Sequence, residues 1–265
     1  MAEERLVICD IDEAAGRADL ILNRPEKKNA LSVALLGEVI DAISALKENT
    51  AVRCIVLSGA GDCFSSGRDL YDMRDQRASA ERWGDTRGQT AGVVKALREA
   101  PQITIAQVRG YCLGGGMVLM NGCDLAIAAE DAQIGMPEIL RGSYGRTATP
   151  TLFHSGIPIK QAFLIQLTGR NVTGAEAARM GLVSQAVPAD ELADTVATLV
   201  KDIAALNPVA LEHAKIAAYT EMDLPFDQAL KADDAISHRL RFHTNPLADV
   251  EGYLKSQKRG DGGGS

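Results

Sequence analysis

The residues able to do chemistry lie in two glycine-bearing loops and beside one acid. In ITIAQVRGYCLGGGMVLMNGCDLAIAAEDAQIGMPE (103–138), an apolar run, Ile103–Val108, leads into Gly110, Gly114, Gly115 and Gly116. Met117–Met120 and a second apolar run, Asp124–Ala129, follow. Strand, glycine-rich turn, buried helix, strand is a layout that aims backbone N–H groups at a ligand. Glycine permits the turn and the close approach, and the first helical turn has unpaired donors at its positive end. Taken alone, the glycine triplet is more commonly a close helix–strand crossing in which no side chain fits, so the context decides. A second loop, Ser65-Ser66-Gly67-Arg68, also follows a buried run. One N–H from each loop, converging on a point, would form an oxyanion hole for a carbonyl oxygen that gains negative charge. Glu138 sits among Ile134, Met136, Pro137, Ile139 and Leu140. A carboxylate there should have a raised pKa and suit proton transfer near neutral pH. A helix-start charge or a salt bridge accounts for it equally well.

Other chemistries find less support. His154, His213, His238 and His243 show no HxxxH or HExxH spacing, which argues against a metal site. Neither GxGxxG nor GxxxxGK[ST] is present, and Gly142-Ser143-Tyr144-Gly145 lacks the residue that a GxSxG elbow needs before its serine. A net charge of −7 over 265 residues speaks against nucleic acid. The uncharged run Gly110–Cys123 is too short for a bilayer, and MAEERLVICD is not a signal-peptide pattern. The cysteines at 9, 54, 63, 112 and 123 are scattered without a CxxC pair, so they read as reduced thiols of a cytoplasmic protein.

The elements that must position these groups follow an α/β pattern. Leu6–Ile11 and Ala18–Leu22 read as strands joined by a turn near Gly16. Ser32 is an N-cap for an amphipathic helix with Leu35, Leu36, Val39, Ile40, Ile43 and Leu46 on its apolar face. Cys54–Leu57 is a buried strand ending in the turn Ser58–Asp62. Residues 74–90 read as a helix end and a variable loop, with a helix from about Thr90 to Glu99 closed by Pro101. Helices are expected at Lys160–Leu167 and Gly174–Met180, an extended piece at Leu182–Val187, and helices almost throughout from Asp190. Strands alternating with helices, then helices alone, imply an α/β core with a helical appendage. The expected division is a core at 1–190, a helical region at 191–258, and a flexible tail or expression remnant at 259–265.

The segments LNRPEKKNAL, FSSGRDL, GYCLGGG, CDLAIAAEDAQIGMPE and TGAEAARMGLVSQAVP, in this order and spacing, resemble the crotonase (enoyl-CoA hydratase/isomerase) superfamily. The resemblance implies a spiral of ββα units with a helical C-terminal region, assembled as trimers that often pair into hexamers. It implies a coenzyme A thioester as substrate, with no metal or further cofactor, and a thioester enolate as intermediate. By the same resemblance, the backbone N–H groups of Arg68 and Gly115 are the oxyanion donors, and Glu138 falls on the second catalytic glutamate of the hydratases. Arg24, Lys27 and Lys28, with Ser66, Asp69 and Leu70, fall on segments that line the CoA. Lys255, Lys258 and Arg259 fall on a shortened basic motif near its phosphates.

Two departures from the family pattern narrow the chemistry. Val118 stands where hydratases carry their first glutamate, and Ser143–Pro150 replaces the usual glycine- and arginine-bearing segment after Glu138. Members that keep only the second glutamate include double-bond isomerases and aromatic hydratase-lyases. The resemblance thus implies an isomerase or an atypical hydratase with one glutamate as proton shuttle. The alternative is a lyase splitting an aryl-hydroxyacyl-CoA. Such lyases anchor a phenol with tyrosine, and no tyrosine lies between Thr220 and Tyr253. A non-catalytic CoA- or RNA-binding member is a further alternative; the negative charge and the retained Glu138 argue against it.

Overall fold

The computed structural model describes residues 5–72, 74 and 83–243. These fall into two compact units divided after Ala205. In the first, β1 (Val7–Asp12) and β2 (Arg17–Leu22) form an antiparallel hairpin turned at Gly16, whose φ is +67°. β1 buries only Val7, and its outward aspartates, Asp10 and Asp12, mark a charged edge unsuited to pairing with another chain. The chain then alternates α1 (Val33–Leu46), β3 (Cys54–Gly59), α2 (Trp83–Glu99) and β4 (Ile103–Val108). β2, β3 and β4 are parallel neighbours, and β6 (Leu125–Ala129) and β9 (Gln185–Val187) continue the sheet in the order β1-β2-β3-β4-β6-β9. The central stretches Cys54–Leu57 and Leu125–Ala129 are continuously apolar, as strands covered on both faces of a parallel sheet are.

A second sheet comes from very short pieces: β5 (Tyr111–Leu113), β7 (Gln133–Gly135) and β8 (Asn171–Thr173). Cys112 pairs with Ile134, and Ile134 with Val172. Isolated bridges extend this row backwards, Ser65 to Cys112 and Leu31 to Arg68. Each winding of the chain therefore leaves one strand in the large sheet and one extended piece in the small one, then adds a helix. β3, Ser65 and α2 make one such set; β4, β5 and α3 (Gly115–Gly122) make the next. This is the ββα spiral expected from the resemblance. The side of α1 that packs on α2 and the sheet carries fully buried Leu35, Leu36, Val39 and Ile43, and Ser32 Oγ accepts the N–H of Leu35 at 3.2 Å as its cap. Truncating one of these leucines to alanine costs about 2–5 kcal/mol.

After β6 come a 3₁₀ turn at Pro137–Arg141, then α4 (Ala148–Phe153), α5 (Ile159–Thr168), α6 (Gly174–Met180) and α7 (Leu192–Ala204). α6 opens with a capping box: Glu176 N–H donates to Thr173 Oγ1 at 3.1 Å, and Thr173 N–H to Glu176 Oε2 at 2.8 Å. The second unit packs α8 (Pro208–Glu221), capped by Asn207, against α9 (Phe226–His243). Among the described residues, no helix is long and apolar enough to cross a membrane.

Several expectations need correction. α2 starts at Trp83, seven residues before Thr90, because Gly84, Gly88 and the polar residues between them hide a helical period; residues 75–82 of the expected loop lie outside the described residues. β3 runs on to Gly59, through the start of the expected turn. The three-residue strands of the small sheet and α4 were not anticipated, since three residues are too few to show alternation, whereas β9 falls within the extended piece expected at Leu182–Val187. α7 belongs to the first unit: its buried Leu192, Val196, Val200 and Ile203 pack on β3, β4 and β6, so the first unit extends past 190 to Ala205.

Candidate active site

The loop after β3 is held by side chains that bond to backbone. A Cβ on Gly59 would lie 2.2 Å from the Cys63 carbonyl oxygen, so only glycine lets the chain double back here. Asn29, at φ +51°, donates through Nδ2 to the carbonyls of Ala60 (2.9 Å) and Cys63 (2.6 Å), while its Oδ1 accepts the Arg24 N–H at 2.9 Å. Ser65 Oγ donates to the Asn29 carbonyl at 2.8 Å and accepts the Gly67 N–H at 3.1 Å. Leu31 N–H reaches the Gly67 carbonyl at 2.8 Å, and Asp69 N–H reaches the Leu31 carbonyl at 3.1 Å. In extended chain, successive amides point to opposite sides. Gly67 and Asp69 face Leu31, so the Arg68 N–H faces away, and it has no partner among the described residues.

It faces the glycine turn. A Cβ on Gly67 would lie 2.7 Å from the Leu113 carbonyl oxygen and 3.4 Å from the Gly115 nitrogen. A Cβ on Gly115 would lie 3.5 Å from the Arg68 nitrogen. Gly115 is the first residue of α3, and its N–H is likewise unpartnered among the described residues, as first-turn amides are. Two free donors, one per loop, thus lie side by side at the positive end of a helix.

Glu138 completes the arrangement. β7 ends at Gly135, and the 3₁₀ turn brings the Glu138 carboxyl against the glycine turn: a Cβ on Gly114 (φ +50°) would lie 2.5 Å from Oε1, and one on Gly145 (φ +67°) 3.3 Å from Cδ. Oε2 is enclosed and has no hydrogen-bond partner among the described residues. Burial pushes the Glu138 carboxyl above the ordinary glutamate value, against the opposing pulls of a backbone N–H and of Arg141. A carboxyl whose enclosed Oε2 is unpaired, beside two N–H donors without partners among the described residues, can move a proton next to a carbonyl whose oxygen they hold.

The description of the family model that matches residues 12–257 is enoyl-CoA hydratase/isomerase. The chain belongs to this family. It is 36% identical over 203 residues to a hydroxycinnamoyl-CoA hydratase-lyase of Pseudomonas fluorescens, covering 76% of this chain and 74% of the relative. It is 30% identical over 223 residues to a peroxisomal Δ(3,5)-Δ(2,4)-dienoyl-CoA isomerase of Arabidopsis thaliana, covering 80% of each. The crystal structure of an enoyl-CoA hydratase of Mycobacterium smegmatis superposes with a TM-score of 0.90 at 30% identity, over 96% of this chain and 97% of that one.

Within this enoyl-CoA hydratase/isomerase chain, the residues expected to line the CoA divide into two groups. Arg24 and Asp69 are buried and hold each other at 3.0 Å, and Arg24 also donates to the Ala30 carbonyl at 2.6 Å. Lys27, Lys28 and Leu70 are exposed, with Lys28 Nζ 4.7 Å from the centre of the Tyr111 ring. Ser66 Oγ lies 3.5 Å from the Lys27 carbonyl. Lys255, Lys258 and Arg259 lie outside the described residues. Val118 is fully buried inside α3. Sequence reasoning missed Asn29, which ties Arg24 to the residue 60–63 turn that leads into the Arg68 loop, and Gly145, which lies against the Glu138 carboxyl. The consecutive left-handed residues Lys28 and Asn29 leave little trace in composition, although asparagine tolerates that conformation better than most residues.

Proposed function

We propose that this chain moves a proton on an acyl-CoA thioester with Glu138 alone, as a double-bond isomerase or an atypical hydratase. The observation that carries the reading is the enclosed, unpaired Oε2 of Glu138 beside the free amides of Arg68 and Gly115. With the thioester carbonyl oxygen between those amides, ionised Glu138 takes a proton from carbon and leaves an enolate whose negative oxygen the two N–H groups hold. Delivering a proton from the Glu138 carboxyl to a different carbon shifts the double bond, with no net change in composition. Valine at 118 cannot activate water as a second carboxylate would, which favours isomerisation over ordinary hydration.

A hydratase-lyase is the second reading, favoured by the 36% identity to the Pseudomonas fluorescens enzyme of that name. Mass analysis after incubation with a panel of enoyl-CoA esters separates the outcomes. Isomerisation leaves the mass unchanged while the chromatographic position shifts, hydration adds one water, and lysis of hydroxyacyl esters gives a smaller thioester. A panel returned intact would overturn the catalytic reading. The reading needs no metal or redox group, so activity lost on dialysis against EDTA and restored by zinc or magnesium would also count against it. A reducing cytoplasmic setting fits five free thiols, of which Cys54 is pushed up to about 12 by burial and is inert.

A further inference from the structure

The Arg68 backbone has a task in this reading, but its side chain does not. Arg68 Cγ lies 3.2 Å from where a Cβ on Gly115 would stand, so the side chain sets out directly beside the two free amides. Its Nε is enclosed and has no hydrogen-bond partner, and among the described residues Arg68 makes no ion pair. Asp72 is the acid that acts on it, yet Asp72 Oδ2 already accepts the Val33 N–H at 3.0 Å. The cation that pulls on Glu138 is Arg141. Burial lowers the pKa of Arg68, a sign that its charge is held in a poorly solvated place. A partly buried guanidinium whose enclosed Nε lacks an acceptor is under-satisfied, and it fits a carboxylate better than any other common partner.

We infer that the Arg68 side chain selects acyl chains that carry a carboxylate. The inference rests on the proposed acyl-CoA chemistry. The two amides mark where the thioester carbonyl sits, and the phosphates of CoA lie a whole pantetheine arm away from that carbonyl. An anion within reach of a side chain rooted at the carbonyl site is therefore on the acyl side.

The test compares glutaconyl-CoA with pent-2-enoyl-CoA, which have equal carbon number, on wild type, Arg68→Met and Arg68→Lys. All three proteins keep the residue-68 N–H. Wild type should prefer the carboxylated ester in kcat/KM. Arg68→Met should cut that preference at least tenfold, mainly through KM, and Arg68→Lys should restore part of it. The same preference should persist on N-acetylcysteamine thioesters, which lack the nucleotide. An unchanged ratio in Arg68→Met, or a preference that vanishes on the N-acetylcysteamine esters, would overturn the inference. A measurement on wild type alone guards against a misfolded variant: glutaryl-CoA should inhibit at least tenfold more tightly than pentanoyl-CoA, and equal inhibition would also overturn it. Turnover of other enoyl esters without any preference sinks this inference alone, whereas turnover of none sinks the acyl-CoA reading with it.

Discussion

Glu138 illustrates how much of the chemistry depends on one carboxyl group. Glu138→Gln keeps its size and polarity but cannot exchange a proton, so turnover should fall by about 10²–10⁴-fold, the usual weight of general acid–base catalysis. Solvent deuterium should enter the substrate beside the thioester carbonyl with wild type and not with the variant; equal incorporation would assign the base elsewhere. The direction of the pKa shift makes two further statements. As a base, Glu138 works only when ionised, so kcat/KM should decline as pH falls through an apparent pKa above the ordinary glutamate value. For stability the sign is opposite. The folded state binds this proton more tightly than the unfolded chain, so the contribution is complete below the unfolded pKa and is lost as pH rises through the folded one. Thermal unfolding at neutral pH should accordingly find Glu138→Gln no less stable than wild type. Arg68 offers a contrast: Arg68→Pro removes the backbone donor and should cost about 10²–10³ in rate on an uncharged ester. Arg68→Ala, which keeps the N–H, should cost far less there.

The elements around these residues explain why the donors meet. Asn29, Ser65 and the Arg24–Asp69 pair tie the residue 24–31 loop to the residue 63–69 loop, and the free amide of Arg68 is a by-product of that tying. Burial alone would raise Asp69, but the Arg24 hydrogen bond, the N–H groups of Tyr71 and Asp72, and the Arg24 charge together hold it below the ordinary aspartate value. Removing one partner of a buried pair strands the other, so Arg24→Ala should destabilise by about 3–5 kcal/mol. Denaturant titration would show this, and the wild-type advantage should persist at neutral pH and fade as acid protonates Asp69. A difference under 1 kcal/mol, on the order of an exposed pair, would mean that the pair is dispensable. The role of Arg24 in the loop could not be read from composition, because its partner lies 45 residues away. Glu138 and the glycine turn were legible because both sit beside long apolar runs. The small sheet was not, since Tyr111–Leu113, Gln133–Gly135 and Asn171–Thr173 take their extended form from neighbours in the spiral.

For the whole molecule, the question is what covers the apolar surface that a single chain leaves open. The strands Cys54–Gly59, Ile103–Val108 and Leu125–Ala129 announce a buried sheet, and the structure buries them. The helical pair from Pro208 to His243 is different. Two helices cannot enclose the apolar residues of both, and Phe226, Leu230 and Phe242 are exposed at 76%, 50% and 80%. Aromatic side chains exposed to that degree are typical of surfaces that meet a partner. Another copy of the chain accounts for them without invoking a second protein, and trimers or paired trimers are the assemblies that the resemblance implies. We therefore expect light scattering at micromolar concentration to return three or six times the 28.1 kDa chain mass. Unfolding midpoints should also rise with protein concentration, because association draws the equilibrium toward the folded chain by mass action. A monomeric mass with a concentration-independent midpoint would leave those aromatics without a self-partner. Charged substitutions at Phe226 and Phe242 should, on the assembly reading, lower the mass toward one chain while the sheet, which shares none of these residues, keeps its circular dichroism.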